Sequence, residues 1–166
     1  MAKRTAYTGL LVAVAFLLSY IESLLPLSLG IPGVKLGLAN LAVFAALYIT
    51  STKNALFVSV ARIVLVSLTF GNTFSLIYSI AGGMLSLLLM VLCKKSKAFS
   101  KVGVSIVGGV SHNIAQIAVA ICVLETPELI WYLPALLISG TVAGAIIGLV
   151  GALILERFMK NSDYLF

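Results

Sequence analysis

The chain alternates long apolar runs with short polar breaks. Six runs stand out: Ala6 to Leu25, Val34 to Thr50, Asn54 to Phe70, Thr73 to Leu92, Val102 to Leu124 and Leu133 to Arg157. A hydrocarbon layer about 30 Å thick takes roughly 20 apolar residues of helix to cross. Most of the runs have that length, and the second and third are short for a full span. The breaks carry turn residues. Pro26, Gly30, Pro32 and Gly33 lie between the first two runs, Gly71-Asn72 between the third and fourth, and Pro127 with Trp131 before the last. Gly71-Asn72 is tight enough to make its flanking helices antiparallel neighbours. The pattern predicts an all-α integral membrane protein, a single domain over residues 1–166 with six transmembrane helices.

Composition agrees. Of 166 residues, 61% are hydrophobic and 10% charged, whereas a soluble domain is near half apolar and about a quarter charged. The N-terminus starts like a signal peptide, with Lys3 and Arg4 before an apolar run. The run continues to Leu25 without a small-residue cleavage site, so it reads as a retained anchor.

The net charge of +6 would suggest nucleic acid in a soluble protein. Here it reports topology instead, and no nucleic-acid partner is expected. Lys3, Arg4, Lys53, Lys94, Lys95, Lys97, Lys101, Arg157 and Lys160 fall on one side of the span pattern. Lys35 lies on the other, with Glu22, Glu125 and Glu128. Cytoplasmic loops carry the excess of Lys and Arg, which puts both termini in the cytoplasm. Trp131 and Tyr132 fit an outer interfacial belt. Cys93 and Cys122 fall on opposite sides, and neither they nor the single histidine, His112, have metal-ligand spacing.

Polar groups inside the spans are the informative exceptions. Arg62 lies mid-run in the third. His112 is about 15 Å up the fifth, near the midplane, with Asn113 level and Gln116 one turn further out. Asn40 lies more than one turn into the second run, and Ser75, Tyr78 and Ser79 occupy the outer half of the fourth. A charge at the bilayer centre costs about 3 kcal/mol or more, and such residues normally face a bundle interior or a watery cavity. They converge on the outer half, which predicts a pocket open to the outside and closed below by apolar helix ends. Arg62 as a glue residue paired with Glu22, His112 bonded to a backbone carbonyl, and Asn113 and Gln116 as interhelical amides are the structural alternatives. Lys35 has its own, snorkelling to the interface.

Small residues form two stripes. Gly140, Gly144 and Gly148 in the sixth run suit packing within the bundle. Ala2, Ala6, Gly9 and Ala13 in the first offer either packing or a docking face for a partner. No phosphate loop is present, and Asp163 is the sole aspartate, so the carboxylate cluster of a metal-diphosphate enzyme is missing. The residues amount to a binding set without catalytic machinery. No enzyme activity and no cofactor are expected.

The segment PGVKLGLAN, residues 32–40, followed by Arg62 and by HNIAQ at residues 112–116, resembles the Gx transporter family, also labelled heptaprenyl diphosphate synthase component I. That family is similar to the S components of energy-coupling factor (ECF) transporters. The resemblance implies an S-component-like six-helix bundle in a bacterial cytoplasmic membrane, among membrane lipid, which captures a small solute from outside. It implies a transmembrane coupling subunit and cytoplasmic ATPases as partners. It also implies Lys35, Asn40, Arg62, His112, Asn113 and Gln116 as the ligand-binding set, beside Tyr78. Vitamin-, flavin-, quinone- and isoprenoid-related solutes all suit these groups. The second label implies a different role, a non-catalytic membrane subunit of a prenyl diphosphate synthase.

Overall fold

The computed structural model describes residues 2–24 and 37–160. Six α-helices account for nearly all of them: α1 (Ala2–Leu24), α2 (Leu38–Ile49), α3 (Thr52–Thr69), α4 (Thr73–Ser96), α5 (Lys101–Leu124) and α6 (Leu133–Lys160). A single 3-10 segment, Pro127–Tyr132, precedes α6, and no strand occurs among the described residues.

Capping explains where the helices begin. The side chain of Ser51 accepts the N–H of Asn54 at 3.2 Å, Asn72 that of Ser75 at 2.8 Å, and Ser100 that of Gly103 at 3.1 Å. Each satisfies a backbone donor that a helix start leaves open. The lysine-bearing ends explain where α4 and α6 stop. Both helices run past the apolar stretch, α4 through Lys94 and Lys95, α6 through Arg157 to Lys160. Cations are favoured there by the helix dipole, so the helices outlast their apolar runs.

Five helices are long and apolar enough to cross a membrane: α1, α3, α4, α5 and α6. The exception is α2. Its 12 residues extend about 18 Å, little more than half a hydrocarbon core. The expected run from Val34 to Thr50 therefore appears as a shorter helix, with Val34, Lys35 and Leu36 outside the described residues. In compensation α2 is the most enclosed element: Ala39, Ala46, Phe44 and Leu47 are essentially inaccessible.

Helices α2, α3, α4, α5 and α6 pack in that order into a closed ring, and α1 lies against α2 and α3. The core at one end is Phe44, Leu47, Val58, Val104 and Leu155. Outward faces are apolar as well. Leu10, Leu68, Ile138 and Leu153 are more than half exposed, as expected of surfaces that meet lipid rather than water. Lys53, Lys95, Lys97, Lys101, Arg157 and Lys160 fall at the α3 start, α4 end, α5 start and α6 end, which is one end of the bundle. Cys93 and Cys122 sit near opposite ends, out of each other's reach, and both are free thiols.

The glycines of α6 fix its distance from α5. A β-carbon on Gly144 would stand 2.7 Å from Ile106 Cα, and one on Gly148 2.8 Å from Val102 Cα. Gly109 and Gly140 are in direct backbone contact across the same seam. This is the packing role expected of the stripe, and it uses the absence of side chains rather than their shape.

Candidate functional site

At the end of the bundle away from the lysines, all six helices surround a cavity of about 180 Å³. Its walls contain Asn40, Arg62, Tyr78, His112, Asn113 and Gln116. The structure thus brings together every ligand-binding candidate except Lys35, which lies outside the described residues.

Two elements meet on the α1–α2 side of the cavity. Gly37 opens α2 in a left-handed conformation, φ 69°, where any other residue but glycine is strained. Its N–H donates to Glu22 Oε1 at 2.5 Å. The carboxylate of α1 thereby sits at the positive end of α2, with Asn40 one turn inside. Glu22 lines the cavity too. The sequence marks it only as an outer-end charge and a candidate partner of Arg62; the structure adds it to the cavity wall.

Arg62 enters from α3. Its Nε is buried with no hydrogen-bond partner among the described residues. Glu22 is the carboxylate whose charge acts on Arg62, yet Glu22 spends Oε1 on Gly37. A close Arg62–Glu22 pair, the structural alternative for this arginine, does not form. An unfilled guanidinium donor in a cavity wall is a demand for an acceptor.

From α5, His112 and Gln116 face α4 at Gly82. A β-carbon on Gly82 would lie 2.9 Å from His112 Cε1 and 2.8 Å from Gln116 Cγ. The missing side chain is the space that lets both groups lie along the cavity wall. Asn113 behaves differently. Its Nδ2 donates to Leu136 O at 2.7 Å and is 3.4 Å from Ser139 Oγ, both on α6. Although Asn113 borders the cavity, its amide nitrogen ties α5 to α6, which is the interhelical role. Tyr78 stands on α4 with its ring 5.2 Å from that of Phe74.

The cavity reaches deeper than the apolar floor expected from sequence. Ser86, Met90, Ser105 and Gly108 line its lower part. Met90 packs there against α5: a β-carbon on Gly108 would stand 2.7 Å from Met90 Sδ. Ser86 and Ser105, absent from the sequence reading of the pocket, continue the pattern of the residues above them. On α4, residues 75, 78, 79, 82 and 86 are Ser, Tyr, Ser, Gly and Ser; on α5, residues 105, 108, 109, 112 and 116 are Ser, Gly, Gly, His and Gln. Both follow the spacing of one helix face, so the face was visible as a stripe of small and polar residues.

The docking candidates lie elsewhere. Ala6, Gly9 and Ala13 are exposed on α1, and nothing lies within 4 Å of where a Gly9 side chain would begin. The side chain of Ala2 is outside the described residues. Among the described residues no three His, Cys, Asp or Glu side chains gather as a metal site would need.

An all-helical membrane-type bundle with a polar recess at one end is the class of protein these features define. The family model for heptaprenyl diphosphate synthase component I matches residues 11–154, and the chain belongs to that family. No curated protein and no solved structure matches it.

Proposed function

We propose that this protein is a solute-binding membrane subunit, the S-component-like part of an ATP-driven uptake transporter whose coupling subunit and ATPases are separate chains. The observation that carries the reading is Arg62. A guanidinium inside an apolar bundle costs about 3 kcal/mol or more, and among the described residues no carboxylate pairs with it at close range. An anionic or acceptor-rich solute in the cavity would complete it, with His112 and Gln116 alongside. The positive-inside rule places the cavity on the outer face and the lysines in the cytoplasm.

The family's name supports a second reading, a non-catalytic membrane component of a prenyl diphosphate synthase. One observation favours it: the exposed Lys95 and Lys97, with the half-buried Lys101 beside them, form a cationic end suited to a soluble partner or a diphosphate. Native mass spectrometry separates the two. The wild-type protein is purified in mild detergent from its own membranes, beside Arg62→Ala. A small molecule carried by the wild type and absent from the variant supports the binding subunit and gives the solute's mass. Retention of a soluble prenyl synthase by both, with no small molecule, supports the accessory subunit and overturns the first reading.

A further inference from the structure

A second recess adjoins the first. It lies between α4, α5 and the 3-10 segment, has a volume of about 310 Å³, and shares Ser75, Tyr78 and Gln116 with the polar cavity. Its other walls are Phe74, Ile117, Ala120, Leu124, Leu129 and Leu136, together with Asn72 and Tyr132 at the edges. Among the described residues no charged one borders it.

The two recesses differ in chemistry. One holds Arg62, Glu22 and His112; the other is walled by aliphatic and aromatic side chains. An apolar cavity of about 150 Å³ is enough to take up a benzene molecule and to stay dry without it. A polar solute fitting the first recess would leave the second without a use. A molecule with two unlike parts fills both.

Resting on the solute-binding reading above, we propose that the ligand is an amphiphile. Its anionic head meets Arg62, and an apolar chain or ring passes Tyr78 and Gln116 into the groove between α4 and α5. The shared residues are the junction: Tyr78 and Gln116 each present an apolar body and a polar end, which suits the point where a ligand changes character.

The test uses the protein in nanodiscs and a photoreactive probe, para-benzoylbenzyl phosphate, with ethyl phosphate and hexyl phosphate as competitors. The head is constant and only the chain changes. Each methylene buried from water is worth about 0.8 kcal/mol, so hexyl phosphate should compete about tenfold or more better than ethyl phosphate. Cross-links should map to Phe74, Ile117 or Leu129. Ala120→Trp fills the groove and should abolish probe labelling there; in direct binding of the unlabelled phosphates by calorimetry it should remove the chain-length advantage while leaving ethyl phosphate affinity unchanged. Leu124→Asn, which makes the groove's rim polar, provides the same readout if the tryptophan variant does not assemble. Equal competition by the two phosphates, with labelling still lost in Arg62→Gln, overturns the amphiphile and leaves the binding subunit standing. A chain-length advantage that survives both groove variants places the chain in the bilayer and also overturns it. Labelling that is not saturable, or that ignores Arg62, overturns the anion-binding reading and this inference together.

Discussion

Gly82 of α4 and His112 of α5 meet where a β-carbon would stand 2.9 Å from the imidazole. The histidine's position is therefore set by what its neighbour lacks. Gly82→Ala should push His112 and Gln116 out of the cavity wall. The displaced atoms are side chains rather than backbone, so the fold should survive at a cost of about 1–3 kcal/mol. Competition labelling should weaken about tenfold, with a single cooperative melt retained. Gly83→Ala is the comparison, since its new methyl would meet Ile63 Cδ1 at 2.7 Å and leave His112 alone. Equal weakening in both variants would show that the effect is general loosening.

Gly144 and Gly9 provide an opposed pair. At Gly144 a side chain meets Ser105 O at 2.8 Å and Ile106 Cα at 2.7 Å, whereas at Gly9 it meets nothing within 4 Å. Backbone cannot move aside as a side-chain tip can. Gly144→Leu should abolish assembled, monodisperse protein in size-exclusion chromatography. Gly9→Leu should give normal yield and thermal stability. If the α1 face docks a coupling subunit, Gly9→Leu should also lose co-purifying membrane partners, and retention of every partner would remove that role from the face.

Lys94 carries a prediction about stability rather than binding. Its Nζ donates to Leu47 O at 2.6 Å and lies 4.6 Å above the ring of Tyr48. It thus closes the carbonyl end of the short, buried α2. Lys94→Met should cost about 1–2 kcal/mol, lowering the melting temperature in detergent by roughly 2–8 °C. Lys95→Met, an exposed neighbour, should leave the melt within error. A melt unchanged by Lys94→Met would reduce this lysine to a topology signal.

Much of the bundle was legible because apolar length and lysine position are local properties. The α3 to α6 boundaries follow from runs and caps such as Asn72 and Ser100, with errors of a few residues where helices outlast the apolar stretch, as at Lys94. Arg62, His112 and Gln116 could be gathered by depth alone, since rise per residue converts sequence number into height. Glu22 escaped because its role depends on Gly37, fifteen residues later and on another helix. Asn113 looked equivalent to its neighbour His112, but one position is about 100° around a helix, and that turns its amide toward Leu136 instead. The groove beside Tyr78 was not visible at all. An apolar residue facing a cavity and one facing lipid read alike in a sequence.

Backbone contact between α5 and α6 has a mechanical consequence. Packed helices slide past one another by letting side chains change rotamer, and a seam made at Gly109, Gly140, Gly144 and Gly148 has few side chains to yield. Close-packed matter of this kind transmits strain instead of absorbing it. The two helices form one stiff lever. Beyond the seam one end runs on to Arg157 and Lys160, and the other carries His112 and Gln116. A force applied at the lysine-bearing end would be passed along this seam toward the cavity-facing residues rather than absorbed within it.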